Sequence, residues 1–206
     1  MFQGNWISNK LKSSLLLLII VACSSPKQPL PVYGPKQINE SGEEIDYTVS
    51  DFKFVNQNNQ IITLNKYKNQ VYVTDFFFTT CQTICPVMTN QLSRVQRKLN
   101  GINFSILSHT VNPEYDTTDV LLDYAQKMGA DLSNWDFVTG EAQKIYRQAA
   151  TYQLTAIKDT SQPIPFVHSE FLVLVDKKNR IRGLYDGTDT TEVNNLIEDI
   201  KWLVKQ

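Results

Sequence analysis

The chain has 206 residues, 42% of them hydrophobic, with 20 Lys and Arg against 21 Asp and Glu for a formal charge of −1. Such an apolar fraction supports a folded core and argues against disorder. The near-neutral balance leaves no electrostatic footprint for nucleic acid, and the length suits one substantial core.

Lys10 and Lys12 precede the apolar run Leu15 to Ala22, which ends at Cys23-Ser24-Ser25-Pro26. A positive segment, a short apolar segment and a small residue before a cut site describe a secretory leader over 1–22. The run is far below the ~20 residues needed to cross a bilayer as a helix. Ile20-Val21-Ala22-Cys23 resembles a bacterial lipobox, which implies lipidation of Cys23 and a lipid-anchored domain outside the cytoplasm, on the periplasmic side of the cell envelope. An ordinary leader with an incidental cysteine is the plainer alternative. The mature side-chain balance is then 18 basic against 21 acidic, because both leader charges are lysines. Residues 23–48 follow as an extended tether and lead-in, with Pro26, Pro29, Pro31, Gly34 and Pro35 discouraging regular structure.

The folded domain is expected over 49–206. Ser50–Val55 and Gln60–Leu64 flank the turn Asn56-Gln57-Asn58-Asn59 and read as an N-terminal β-hairpin. The apolar run 71–78 reads as a buried strand. Met88, Leu92, Val95 and Leu99 then recur at helical spacing and predict a helix over 87–99. Ile102–Ser108 is a further strand. Residues 117–128 form a helix with Leu121, Tyr124, Ala125 and Met128 on one face, Trp135–Val138 a short strand, and Glu141–Ala150 a helix. Glu170–Asp176 and Ile181–Tyr185 read as a hairpin across Lys177-Lys178-Asn179. The closing helix starts near Asp189, with Glu192 as its capping partner and Val193, Leu196, Ile197, Ile200 and Leu203 as its apolar stripe. The series predicts an α/β sandwich with a central mixed sheet flanked by helices.

Between the buried strand and the first helix lies Thr79-Thr80-Cys81-Gln82-Thr83-Ile84-Cys85-Pro86. Pro86 suits a first helical turn. The i, i+4 spacing puts both thiols on one side of the turn, and a helix N-terminus favours thiolate. With Cys23 explained by the leader, Cys81 and Cys85 are the only thiols left in an oxidising compartment, so the pair needs a metal or a redox role. The chain's two histidines are His109 and His168. His168 follows Pro163 and Pro165, in a stiff loop at the head of an apolar strand. It reads either as a third ligand, completing an S₂N set suited to Cu(I), or as a loop histidine bonded to backbone. His109 reads as a surface or structural histidine. Asp75 reads as a group behind the thiols or as a solvent-facing strand-end residue, the second being favoured.

From about Ser50 to the last helix the chain resembles the Sco/SenC family of copper-binding, thioredoxin-like proteins of cytochrome c oxidase assembly. The resemblance rests on Phe76 to Pro86, on Ser108-His109-Thr110-Val111-Asn112-Pro113-Glu114-Tyr115-Asp116-Thr117, and on Tyr124-Ala125 through Gly129. It rests also on Trp135-Asp136-Phe137-Val138-Thr139-Gly140 and on His168-Ser169 opening a strand that ends at Asp176. It implies a thioredoxin-like fold in which Cys81, Cys85 and His168 bind one copper ion. That ion is Cu(I), with Cu(II) held by an added oxygen ligand, and the same two cysteines close a redox disulfide. It implies delivery to the binuclear copper centre of oxidase subunit II, with a thioredoxin-like reductant or another copper chaperone as further partners, and no enzymatic role beyond ancillary thiol–disulfide exchange. The chain departs from the family at Gln82-Thr83-Ile84, where Pro-Asp is usual between the cysteines. It also departs at Thr80, Tyr115 and Val167, where His or Asn, a basic residue and Asp are usual. Groups around ligands tune affinity and potential. A thiol–disulfide oxidoreductase of the envelope and a copper or redox sensor are the alternatives. A thiol peroxidase is disfavoured, since Phe78 and Gln82, not Thr, stand three residues before the cysteines.

Overall fold

The structure is a computed structural model that describes residues 1–2, 28–158 and 166–206. Cys23, leader residues 3–22 and the Pro163/Pro165 loop therefore lie outside the described residues.

Two short strands, β1 (Gln37–Ile38) and β2 (Glu44–Ile45), pair within the lead-in. β3 (Lys53–Asn56) and β4 (Ile61–Thr63) form the expected hairpin, whose turn places Asn59 at φ 58°, a conformation Asn tolerates. A 3₁₀ turn over Leu64–Tyr67 leads into β5 (Val71–Phe77). Then come α1 (Ile84–Lys98), β6 (Phe104–Thr110), α2 (Thr118–Lys127), β7 (Trp135–Thr139) and α3 (Ala142–Thr151). A two-stranded arm, β8 (Ala156–Lys158) with β9 (Phe166–His168), precedes the hairpin of β10 (Phe171–Val175) and β11 (Ile181–Asp186). α4 (Thr190–Val204) closes the chain.

Seven strands make one sheet in the order β11-β10-β5-β6-β7-β3-β4. β5, β6 and β7 are parallel, while β10 and β3 run antiparallel to them on either side. β5 and β6 are buried along their whole length, as strands covered on both faces must be. Phe77 stacks on Tyr124 of α2, and the Tyr124 hydroxyl meets Thr89 of α1 at 2.9 Å, so α1 and α2 share one face of the sheet. α4 packs beside α1. Tyr72 and Phe76 point the other way, to Tyr152 just past α3.

α1 begins three residues earlier than its apolar spacing predicts, so Cys85 lies inside its first turn. β6 begins two residues later than predicted. Asp189 caps α4 by accepting from Thr191 and Glu192 N–H. The Glu192 carboxylate accepts the N–H of Asp186 at 2.6 Å instead of that of Asp189, which is bonded to the Asp186 carbonyl.

The lead-in is strapped to the domain. Arg182 donates to the carbonyls of Pro31 (2.9 Å) and Leu30 (2.5 Å) and to Asp176 (2.8 Å). Arg180 bonds both Asp46 and Asp176, and Tyr33 bridges to Ile181. Gly34, at φ +105°, lets the strap pass the Tyr47 ring, which a Cβ would strike at 2.6 Å.

Candidate metal centre

β5 ends at Phe77, and the chain turns through Phe78-Thr79-Thr80. Cys81 N–H donates to the Phe78 carbonyl at 3.2 Å, which closes the turn. Thr83 occupies the N-cap position of α1 without capping it; its hydroxyl lies 3.6 Å from Cys81 Sγ. Cys81 therefore sits just outside the helix and Cys85 just within it. Burial pushes the Cys81 thiol up, but bonds from the Cys85 thiol, from the N–H groups of Cys85 and Thr83 and from the Thr83 hydroxyl outweigh it. The net shift is downward. Burial pushes the Cys85 thiol well up, and its bond to Cys81 adds to this. The two thiols are thus unequal: one is held as a thiolate-prone group on the helix N-terminus, and the other is a fully buried thiol.

His168 closes β9, opposite Ala156. Its Nδ1 lies 3.1 Å from the Ser169 carbonyl, which can only accept, so Nδ1 carries the proton. Nε2 is left with its lone pair, 3.2 Å from Cys85 Sγ. Burial lowers the pKa of the ring, against the Ser169 carbonyl and the charge of Glu170, and keeps it neutral. Phe78 meets the ring edge-on at 5.8 Å.

The structure therefore brings Cys85 and His168 into contact and sets Cys81 beside them. Among the described residues, no three His, Cys, Asp or Glu side chains are gathered closely enough to hold a metal ion as they stand. The donor chemistry fits a soft ion: two sulfurs, one depressed toward thiolate, and an imidazole nitrogen with a free lone pair.

One expectation needs correction. Asp75 does not face solvent. It is buried and accepts the Ser108 hydroxyl at 2.5 Å, and Ser108 in turn accepts the Trp135 indole N–H at 2.9 Å. Burial raises its pKa to about 7, and its charge is felt at Cys85. His109 takes the structural of its two expected roles. It stacks on Phe76 at 4.6 Å, on the sheet face away from Asp75, and burial lowers its pKa to about 3. Its Nδ1 meets Thr74 Oγ1 at 3.1 Å, and Nε2 has no partner among the described residues. A histidine in that position cannot reach the thiols. Sequence reasoning missed Asp116, whose carboxylate holds Thr79 at the thiol turn. It stands in the Pro113-Glu114-Tyr115-Asp116-Thr117 stretch that carries the family resemblance, but only the fold brings its carboxylate to Thr79.

A dithiol at the start of the helix that follows a buried parallel strand of a mixed sheet, met by a neutral histidine from a two-stranded arm, defines a thioredoxin-like dithiol protein. Residues 40–205 match the SCO1/SenC family model. The SCO1 protein homolog of Bacillus subtilis is 31% identical over 194 residues, covering 93% of this chain and 94% of its own. The structure of BsSco, described as a member of the Sco family of cytochrome c oxidase assembly proteins with a disulfide switch, is 31% identical. It superposes with a TM-score of 0.70 over 77% of this chain and 94% of its own. Copper-bound ScoI of Bradyrhizobium japonicum shares the fold at 19% identity and a TM-score of 0.64, over 76% and 99% of the two chains. The chain belongs to the SCO1/SenC family.

Proposed function

We propose that the protein is a copper chaperone of the cell envelope, anchored by lipid at Cys23, that serves cytochrome c oxidase assembly. Reduced Cys81 and Cys85, with His168, take up one Cu(I), and an added oxygen ligand accommodates Cu(II). The cargo passes by ligand exchange to the thiolates of the binuclear copper centre in subunit II. The observation that carries this reading is the 3.2 Å approach of Cys85 Sγ to an Nε2 whose lone pair is freed by the Nδ1–Ser169 bond. In the protein without metal that lone pair can accept the Cys85 S–H, and on deprotonation both atoms become donors to one ion. Family membership supports the same assignment.

The test is Cu(I) titration of the reduced soluble domain in competition with a chelator. Cys81→Ser, Cys85→Ser and His168→Ala should each weaken binding, the cysteines most, because thiolate is the softer, charged ligand. His109→Ala should keep its affinity. Loss in His109→Ala with full affinity in His168→Ala would overturn the ligand set. Copper transfer to an isolated subunit II domain then separates delivery from sensing.

The inequality of the thiols favours a second reading as a thiol–disulfide reductant. The Cys81 thiolate attacks a partner disulfide, and Cys85 then attacks the mixed disulfide, releasing the partner's two thiols and closing Cys81–Cys85. Turnover of a disulfide substrate in metal-free buffer would favour it over the chaperone.

A further inference from the structure

Asp116 is fully buried, and only hydrogen bonds offset that burial. Its carboxylate accepts the Thr79 N–H at 3.1 Å, the Thr79 hydroxyl and the hydroxyl of Thr110, the last residue of β6. Thr110 Oγ1 also accepts the N–H of Asn112, and the Asn112 carbonyl accepts the N–H of Asp116 at 2.9 Å. One carboxylate thus ties the thiol turn, the end of β6 and the loop into α2 together. The two cysteines depend on it differently. Cys85 is fixed by α1 and by His168. Cys81 lies outside the helix, and its placement follows the Phe78-Thr79-Thr80 corner.

We infer that Asp116 is a positioning residue for the dithiol: by gripping both the N–H and the hydroxyl of Thr79 it fixes the corner from which Cys81 is presented to Cys85 and His168. The inference rests on the reading that the two thiols act as a pair, through copper or through a disulfide. Two groups held in register react as if at high local concentration, and a loosened corner lowers that effective molarity. Both chelation and disulfide closure then become less favourable together.

The experiment equilibrates the protein with glutathione disulfide. Cys81 and Cys85 lose two protons and two electrons to form one S–S bond, and the glutathione disulfide bond breaks to give two glutathione thiols. Wild type, Asp116→Ala, Thr79→Val and Thr79→Ser are compared. Thr79→Val keeps the N–H bond and removes one hydroxyl at a half-buried position, so it decides the matter if Asp116→Ala does not fold. Losing a hydrogen bond to a carboxylate should lower the equilibrium constant for disulfide formation by about tenfold. Thr79→Ser should restore it, and Cu(I) affinity should fall in parallel with the constant. An unchanged constant in Asp116→Ala and Thr79→Val, with only thermal stability reduced, would overturn the inference and leave a structural role. A wild type that forms the disulfide without binding Cu(I) sinks the copper reading alone. The shifted constant in the variants still supports the positioning role.

Discussion

Replacing Asp75 with Asn should make the domain more stable at pH 8 and leave it nearly unchanged at pH 4. Asp75 is buried on β5 with a hydroxyl partner and no cation, and its pKa rises from 3.8 to about 7 because burial disfavours the charge. A carboxyl with a raised folded pKa holds its proton more tightly folded than unfolded. Its contribution is present below pH 3.8 and is lost as pH rises through about 7. A rise from 3.8 to about 7, at 1.36 kcal/mol per pH unit, comes to roughly 4 kcal/mol. Asn has the shape of the neutral acid and can still accept from Ser108, so it keeps the protonated-state bond and never ionises. At roughly 2 kcal/mol per molar urea, the unfolding midpoint of Asp75→Asn should exceed that of wild type by about 2 M at pH 8. Urea unfolding with reductant present, repeated from pH 4 to 8, reads this directly. Parallel midpoints of the two proteins across the range would refute the reasoning, and so would a variant weaker than wild type at pH 8.

Other outcomes follow from the same geometry. Near neutral pH, iodoacetamide should label Cys81 first, since its pKa is lowered, and Cys85 only after unfolding; peptide mapping of a time course that finds Cys85 modified first would contradict the assigned asymmetry. Arg182→Met should cost about 2 kcal/mol by removing one of the two guanidinium partners of buried Asp176, Arg180 remaining, and should open residues 28–36 to limited proteolysis. Cys23→Ser should abolish lipid modification; the same lipid-bearing mass in the variant would defeat the lipobox reading.

The core of the fold was legible because its strands and helices bury apolar residues at the two simple periods. The run 71–78 and the stripe Met88-Leu92-Val95 place the thiol turn between a central strand and a helix with no other information. Asp75 was misread because its polarity in an apolar strand suggests solvent. Its partner Ser108 comes from β6, 33 residues away, and only the parallel register Asp75↔Ser108 supplies it. Sequence context set His168 apart from His109 only as a possible ligand. They are separated by position in the fold: His109 lies on β6 inside the main sheet, whereas the β8–β9 arm carries His168 to Cys85, a pairing that no local pattern announces. The β8–β9 arm was missed because three-residue strands carry too little pattern to register. The Glu192 cap failed by one competing bond, since the Asp189 N–H was already taken.

The strap also decides how force travels through the molecule. β10 runs antiparallel to β5, with Val175 opposite Tyr72, so the β10–β11 turn lies at the start of β5, whereas the thiols lie past its end. Seven residues of strand separate the two, or about 23 Å. A pull arriving through residue 28 is borne by Arg182, by the Tyr33 bridge and by the Asp46–Arg180–Asp176 chain. Those contacts all lie on the edge hairpin, at the pole of the sheet opposite the turn that carries Cys81, so the point of attachment and the dithiol sit at opposite ends of the molecule.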